Sequence, residues 1–324
     1  MAIYDVDGNL LTDDVSIEPY YEDEMADTIA KVRALQTEPN LTFFVVTDIH
    51  SYFVSGAETL YKTSVANMQY LLKSIPCDGV INLGDSIEGY PADTTAMRYG
   101  DLVSNEFRKI GLPYYAVIGN HDDNRYHNTA NDDRLTIGER YQVFVNPTRK
   151  VISDATGLNW YVDFPEAKIR MIALNSVSDY TYKFLTDTCT WFSSVLSTVP
   201  TGYAVMLLTH VAPVGAWNYN NTTPTNSSTI ATELTNFSGS KFILCGHNHV
   251  DDVFSSPWPG ITLCCEKFEN ENGDPSKWPS GAVKPSRTLG TAAEDCWTVA
   301  VYRPNAGKVN FVRFGAGSDY ELTL

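Results

Sequence analysis

The apolar segments of this chain are repeatedly followed by an acidic, amide or imidazole side chain, and this feature constrains the fold most. The first three are LTFFVVTD (41–48), GVINLGD (79–85) and PYYAVIGNHD (113–122). Continuous apolar runs of this length are typical of strands that are buried on both faces. Stretches with helical periodicity separate them, and strands alternating with helices predict βαβ units. We therefore expect an α/β protein with a mostly parallel sheet.

The rest of the chain extends this pattern. Helical periodicity predicts helices over 22–36, 58–74, 93–110 and 186–198. Further apolar strands are predicted over 168–176, 203–210 and 240–249. After residue 250 the pattern becomes all-β, with strands predicted over 261–268, 296–303 and 308–315. The segment Pro304-Asn305-Ala306-Gly307 is typical of a turn, so the last two strands are expected to form a hairpin.

Five short motifs at the predicted strand ends carry potential metal ligands. They are DIH (48–50), GDS (84–86), GNHD (119–122), TH (209–210) and GHNH (246–249). Ligands bind beyond the carboxyl ends of parallel strands, so these motifs are expected to meet at one edge. Carboxylate, amide and imidazole donors suit divalent ions such as Mn, Fe, Zn or Ni, and the motifs lack the thiolates of a structural zinc site. Of the six histidines, only His127 lies outside the five motifs.

The ordered set D-x-H, G-D, G-N-H-D, H and G-H-x-H resembles the signature of the calcineurin-like metallophosphoesterases. The resemblance spans residues 48–249 without a substitution. It implies a four-layer sandwich in which two mixed β-sheets are flanked by α-helices. It also implies two divalent metal ions: Asp48, His50 and His249 at the first, Asn120, His210 and His247 at the second, and Asp85 bridging both.

The same resemblance implies a reaction. In the family a hydroxide shared by the two ions attacks phosphorus in line with the leaving group. By this resemblance His121 is the acid or transition-state donor, and we expect Asp122 to orient its imidazole. The expected activity is phosphoester hydrolysis.

The motifs of this chain differ from those of two groups of phosphatases, and these differences narrow the expected function. Protein Ser/Thr phosphatases carry an Arg in the second motif and G-N-H-E in the third, which this chain does not. Purple acid phosphatases place a Tyr ligand where this chain has Glu88, and they lack the equivalent of His50. The motifs favour a phosphodiesterase. Two alternatives stay open: a phosphomonoesterase or nucleotidase using the same site, and a virion or cell-surface binding component that retains the fold.

The domain organisation is expected to be simple. Residues 1–38 are predicted to form an extension, with a hairpin over 3–11 followed by the first helix. This extension serves for packing or for docking on a larger assembly. Residues 39–324 are expected to form the metallophosphoesterase domain, with the strands of 255–324 completing its second sheet.

Composition limits the partners. The net charge of -16 argues against a general nucleic-acid surface, because phosphate binding of that kind needs Lys and Arg. A small phosphoester or a nucleotide is the expected substrate. No apolar run is long enough to span a membrane, and the start of the chain does not resemble a signal peptide. We therefore expect a cytoplasmic or virion-associated protein, with its six cysteines as buried free thiols.

Several residues near the motifs are candidates for lining the site. Loop positions next to motif ends are expected to line a pocket, and they are Tyr52, Arg125 and Tyr126. His127 follows them and either contacts substrate or lies on the surface. Aromatic residues flanking the last two motifs either stack on a base or sugar or pack in the core, and they are Trp217, Tyr219 and Trp258.

Overall fold

The computed structural model describes residues 15–51, 57–90, 92–125, 133–146, 150–178, 181–265 and 274–324. The predicted hairpin over 3–11 lies outside these ranges, as do Tyr52, Tyr126 and His127.

The described residues contain the predicted strands and helices in their predicted order, together with additional short strands and helices that the sequence analysis did not predict. The α-helices are α1 (Glu22–Leu35), α2 (Ala57–Leu72), α3 (Asp93–Arg108), α4 (Ile137–Arg140), α5 (Thr186–Ser197) and α6 (Ser227–Asn236). The strands are β1 (Leu41–Val46), β2 (Gly79–Asn82), β3 (Tyr114–Ala116), β4 (Ile152–Ser153), β5 (Trp160–Phe164), β6 (Ile169–Leu174), β7 (Val177–Ser178), β8 (Thr181–Tyr182), β9 (Ala204–Thr209), β10 (Lys241–Cys245), β11 (Asp252–Phe254), β12 (Gly260–Thr262), β13 (Cys296–Arg303), β14 (Lys308–Gly315) and β15 (Tyr320–Thr323).

Two large mixed sheets contain most of these strands. The first has the order β15-β14-β13-β1-β2-β3, and the second has the order β11-β12-β10-β9-β6-β5-β4. Strands β1, β2 and β3 run parallel, as do β6, β9, β10 and β12. The carboxyl ends of these parallel strands carry the five motifs, which is the arrangement expected for a ligand site.

The two sheets face each other across an aromatic core. Phe43 on β1 packs against Phe164 on β5 with ring centroids 5.7 Å apart, and the two strands belong to different sheets. Phe44 points to the opposite face of β1 and packs against Trp297, whose ring stacks on Phe314. Burial of one such side chain contributes roughly 1.5–3 kcal/mol. Every residue of β1 is buried, as predicted for a strand covered on both faces.

Helices cover the outer faces of both sheets. Helix α1 packs on the first sheet, where Tyr21 stacks on Phe314. Helices α5 and α6 cover the second sheet through an apolar cluster that includes Phe192 and Ile230. Two mixed sheets flanked by helices confirm the predicted four-layer α/β sandwich.

The C-terminal strands lie in a different sheet from the one we expected. We predicted that residues 255–324 would complete the second sheet, but β13, β14 and β15 extend the first. Strand β13 pairs antiparallel with β1, where Phe44 lies opposite Val299. Among the described strands of this segment, β12 alone joins the second sheet. The reason is physical: Trp297 and Phe314 bury their rings between β1 and α1, so the hairpin covers an apolar edge of the first sheet.

The first helix is part of the main core. Tyr21, Met25 and Val32 are buried in it, and Ile29 and Leu35 pack beside them. The apolar face of α1 is therefore covered by the first sheet. This contact fits the packing interpretation of the helix and gives no support to docking through it.

Two further expectations concern the cysteines and the membrane. All six cysteines are free thiols and five of them are buried, as predicted, whereas Cys77 is only half-buried. Among the described residues, no helix combines the length and the apolar character that crossing a membrane requires.

Candidate metal centre

The five motifs meet where the parallel strands of both sheets end. Asp48 and His50 follow β1, Asp85 follows β2, and Asn120 lies beyond β3. His210 directly follows β9, and the turn after β10 carries His247 and His249. The two sheets therefore contribute opposite sides of one site, although its members are far apart in sequence.

The first of two clusters contains Asp48, His50 and His249. Nε2 of His50 lies 3.0 Å from Nε2 of His249, and Nε2 of His249 lies 3.4 Å from Oδ1 of Asp48. Two imidazole nitrogens converging on one carboxylate oxygen form a donor set that suits a divalent transition metal.

The second cluster contains Asp85, His210 and His247. Nε2 of His210 lies 3.0 Å from Oδ2 of Asp85 and 3.2 Å from Oδ1 of Asn120. The ring centroids of His210 and His247 are 5.2 Å apart. The structure thus brings the predicted ligands of the second ion together.

Asp85 lies between the two clusters. Its Oδ2 atom is 3.0 Å from Nε2 of His210 and 3.6 Å from Nε2 of His50. Its Oδ1 atom accepts a hydrogen bond from the backbone amide of His121 at 2.8 Å. One carboxylate oxygen therefore faces both groups of donors, which is the position that a bridging ligand needs.

Hydrogen bonds at Nδ1 orient the imidazoles. Nδ1 of His210 lies 2.8 Å from the carbonyl oxygen of Leu83, and Nδ1 of His121 lies 2.8 Å from that of Glu88. A carbonyl only accepts, so Nδ1 carries a proton in both rings, and Nε2 has a free lone pair whenever the ring is neutral. In His210 that lone pair points at the candidate metal position.

Burial and neighbouring charges shift the pKa values of the predicted ligands. Burial raises the pKa of Asp48, but the hydrogen bond with His249 and the charge of His210 outweigh it and hold the pKa at about 2. Burial lowers the pKa of His210, but Asp85 and Asp48 raise it to about 9. Burial, reinforced by His210, lowers the pKa of His247 to about 3. The proton on His210 thus compensates the negative charge of Asp48 and Asp85, and bound cations would compensate the same charge.

Backbone geometry at the site is unusual. Five of the seven predicted ligands adopt positive φ values: 50° at Asp48, 44° at His50, 52° at Asp85, 73° at His247 and 54° at His249. Non-glycine residues rarely adopt this conformation, which costs on the order of 1–3 kcal/mol each. Such residues cluster at functional sites, where the surrounding structure holds them.

Two glycines let the motifs approach each other. A Cβ atom at Gly119 would collide with the carboxylate of Asp85, and one at Gly246 would collide with the side chain of Thr47. The physical role of these glycines is to allow close contact between neighbouring motifs.

Asp122 has other partners than we expected. Its Oδ1 atom accepts the backbone amide of Ser86 at 2.8 Å, and its Oδ2 atom accepts that of Gly119 at 2.8 Å. Burial raises its pKa to about 7. The carboxylate therefore links the second motif to the third, while Nδ1 of His121 is held by the carbonyl oxygen of Glu88.

The aromatic candidates differ in their surroundings. Trp217 is buried, stacks on Phe254 with centroids 4.4 Å apart, and contacts Trp258, so both tryptophans pack in the core. The backbone amide of Tyr219 donates to Oδ1 of Asn248, which lies between His247 and His249. The loop that carries Tyr219 is thereby attached to the metal-ligand turn. Arg125 lies after the third motif and is half-buried.

Sequence reasoning missed Glu88 and Tyr182, which both contact predicted ligands. Oε2 of Glu88 lies 2.6 Å from Nδ1 of His50. The ring of Tyr182 lies against that of His247 with centroids 4.7 Å apart. A signal for Glu88 was present, since it lies three residues after Asp85 in the second motif. For Tyr182 the sequence offers no motif, because β8 reaches the site only through tertiary packing.

Comparison with known proteins agrees with this arrangement. The sequence model of the calcineurin-like phosphoesterase family matches residues 41–251. That match covers more than half of the chain and includes every predicted ligand, so the chain belongs to the calcineurin-like phosphoesterase family. A search of curated proteins gives no match.

Solved structures share the fold. A dimetal phosphatase from Danio rerio aligns with a TM-score of 0.61 and 15% identity, over 88% of this chain and 99% of that chain. A purple acid phosphatase from yellow lupin (Lupinus luteus) seeds aligns with a TM-score of 0.56 and 11% identity, over 89% of this chain and 54% of that chain. The present chain thus spans about half the length of the lupin enzyme.

Proposed function

We propose that this protein is a phosphoester hydrolase that uses two divalent metal ions, with phosphodiesters as its preferred substrates. The position of Asp85 carries the proposal, because its Oδ2 atom faces His50 of one donor cluster and His210 of the other. Two buried clusters that share a carboxylate suit a pair of cations better than a single ion.

The donor chemistry fits such a pair. Asp48, His50 and His249 would hold the first ion, and Asn120, His210 and His247 would hold the second. Bound divalent ions supply an activated water and neutralise charge on phosphoryl oxygens. A net charge of -16 would otherwise repel a phosphate, so local cations also account for substrate attraction.

We propose that His121 donates a proton to the leaving oxygen. Its Nδ1 proton is used in the hydrogen bond to the carbonyl of Glu88, so donation from Nε2 requires the doubly protonated ring. Burial lowers the pKa of His121 in the metal-free chain, and a negatively charged substrate would favour protonation. The ring of His121 lies beside that of His50, with centroids 4.7 Å apart, and this proximity to the first donor cluster supports the proposed role.

The choice between diester and monoester rests on different observations. The D-x-H and G-N-H-D motifs favour a diesterase. Both solved structures described above are phosphatases by name, which favours the monoesterase alternative. Rates on bis-p-nitrophenyl phosphate and p-nitrophenyl phosphate, measured side by side with Mn²⁺, separate the two.

The central experiment uses Asp85→Ala. We expect the wild-type protein to hydrolyse bis-p-nitrophenyl phosphate with added Mn²⁺ and the variant to lose this activity. The matched control is Asp163→Ala, which removes a carboxylate paired with Arg170 on the second sheet. Equal activity of Asp85→Ala and wild type would refute the proposed site. A faster reaction on the monoester would assign the protein as a phosphomonoesterase.

A further inference from the structure

Glu88 holds two imidazoles of the candidate metal centre through two different atoms. Its carboxylate oxygen Oε2 lies 2.6 Å from Nδ1 of His50. Its backbone carbonyl oxygen lies 2.8 Å from Nδ1 of His121. The Glu88 side chain is 19% exposed, so water competes little for these contacts.

Glu88, His50 and His121 also form a group of potential metal ligands. Nε2 of His50 already faces the first cluster, where Nε2 of His249 lies 3.0 Å away. A ring that binds one ion through Nε2 carries its proton on Nδ1 and cannot bind another ion there unless it loses that proton. The short contact between Glu88 and His50 is therefore a hydrogen bond from the ring to the carboxylate.

We propose that Glu88 is a positioning residue that fixes the tautomer and orientation of His50 for the first metal ion. This inference rests on the proposed function of the site. A carboxylate that accepts the Nδ1 proton leaves the Nε2 lone pair directed at the ion and makes the ring a stronger ligand. Glu88 acts through His50 and does not itself contact substrate.

The two contacts of Glu88 respond differently to mutation. Glu88→Ala keeps the backbone carbonyl that holds His121, but it removes the carboxylate that accepts a hydrogen bond from His50. We therefore expect loss of the carboxylate to weaken binding of the first metal ion and to leave His121 in place. The lost activity should return when Mn²⁺ is raised to saturation.

The experiment compares metal binding and activity in four proteins: wild type, Glu88→Gln, Glu88→Ala and Glu294→Ala. Mn²⁺ binding is measured by equilibrium dialysis, and kcat is measured over a range of free Mn²⁺. Glu88→Ala should bind one of two ions 10- to 100-fold more weakly and recover the wild-type kcat at saturation. Glu88→Gln should be intermediate, because its amide oxygen still accepts a hydrogen bond.

Glu294→Ala is the matched control. Glu294 is a buried carboxylate that accepts hydrogen bonds from the hydroxyls of Tyr20 and Tyr21 and from the amide of Gly290. Its removal should lower the melting temperature and leave both Mn²⁺ affinities unchanged. This control separates a general loss of stability from a specific loss of Mn²⁺ affinity.

Each outcome decides between explanations. If Glu88→Ala binds both Mn²⁺ ions as tightly as wild type, the positioning role is overturned. The proposed function still stands in that case, provided that wild type binds two ions and hydrolyses the ester. If kcat of Glu88→Ala stays low with both ions bound, the positioning role is overturned and Glu88 has a direct catalytic role. Binding of a third ion by wild type that is lost in Glu88→Ala would make Glu88 a ligand and overturn the positioning role. Failure of wild type to bind two ions would refute the proposed function itself. If Glu88→Ala does not fold, Glu88→Gln carries the test.

Discussion

Nε2 of His210 lies 3.0 Å from Oδ2 of Asp85, and this contact joins an imidazole of the second sheet to a carboxylate of the first. Both residues are buried. Removing the side chain of one partner leaves the other charge uncompensated in a region with little water, which is strongly unfavourable. The candidate metal centre therefore contributes to the association of the two sheets as well as to chemistry.

Metal removal should consequently lower stability. We expect Mn²⁺ to raise the melting temperature of the chelator-treated protein, since a ligand at 100 times its Kd stabilises the native state by about 2.7 kcal/mol. Asp85→Ala should show a much smaller rise. Differential scanning calorimetry with and without Mn²⁺ checks this, and an equal rise in both proteins would place the ions elsewhere.

His121→Ala should affect substrates according to their leaving groups. An alkyl phosphodiester expels a basic alkoxide that needs a proton, whereas p-nitrophenolate leaves without one. We expect kcat to fall about 10²- to 10⁴-fold on the alkyl ester and far less on the nitrophenyl ester. Steady-state kinetics on both esters provides the measurement. A uniform loss on both would point to a role in binding.

Gly119→Ala adds a single methyl group and should abolish metal binding. The added Cβ atom would collide with the carboxylate of Asp85 and move it from its position between the clusters. Gly138→Ala is the matched control, because an added Cβ in α4 meets nothing within 4 Å. Mn²⁺ stoichiometry by metal analysis distinguishes the two variants. Two bound ions in Gly119→Ala would contradict the close approach.

Asp252 should make stability depend on pH. Burial raises its pKa from 3.8 to about 6, and its Oδ2 atom makes no hydrogen bond to the described residues. A raised pKa means that the folded state holds the proton more tightly than the unfolded state. The stabilisation is therefore full below pH 3.8 and is lost as pH rises through about 6.

Asp252→Asn removes this titration. We expect the unfolding free energy of wild type, relative to the variant, to fall as pH rises from about 4 to about 7. Urea unfolding across that range is the measurement. A difference that stays constant with pH would show that Asp252 is solvated in solution.

Local patterns in the sequence predicted most of the fold. Apolar runs identified β1, β2, β9 and β10, and their polar ends located the candidate ligands. The sheet that receives β13 was not predictable, because an apolar strand such as CWTVAVYR fits either sheet until its aromatic rings find partners. Asp122 was misinterpreted for a similar reason, since its partners are backbone amides and not the neighbouring imidazole. Contacts between distant segments decided both cases.

The positive φ values at five predicted ligands have a consequence for evolution and for engineering. Glycine adopts this conformation without strain, so replacing such a ligand with glycine relieves the backbone while it removes the donor. For metal-free protein, a screen that rewards heat resistance alone should therefore enrich glycine at His249, whose side chain is 16% exposed, before it does so at the more buried Asp48 and His50. Retention of this side chain thus has to be maintained by selection for activity, and a thermostabilised variant of this protein needs a functional counter-screen at this position.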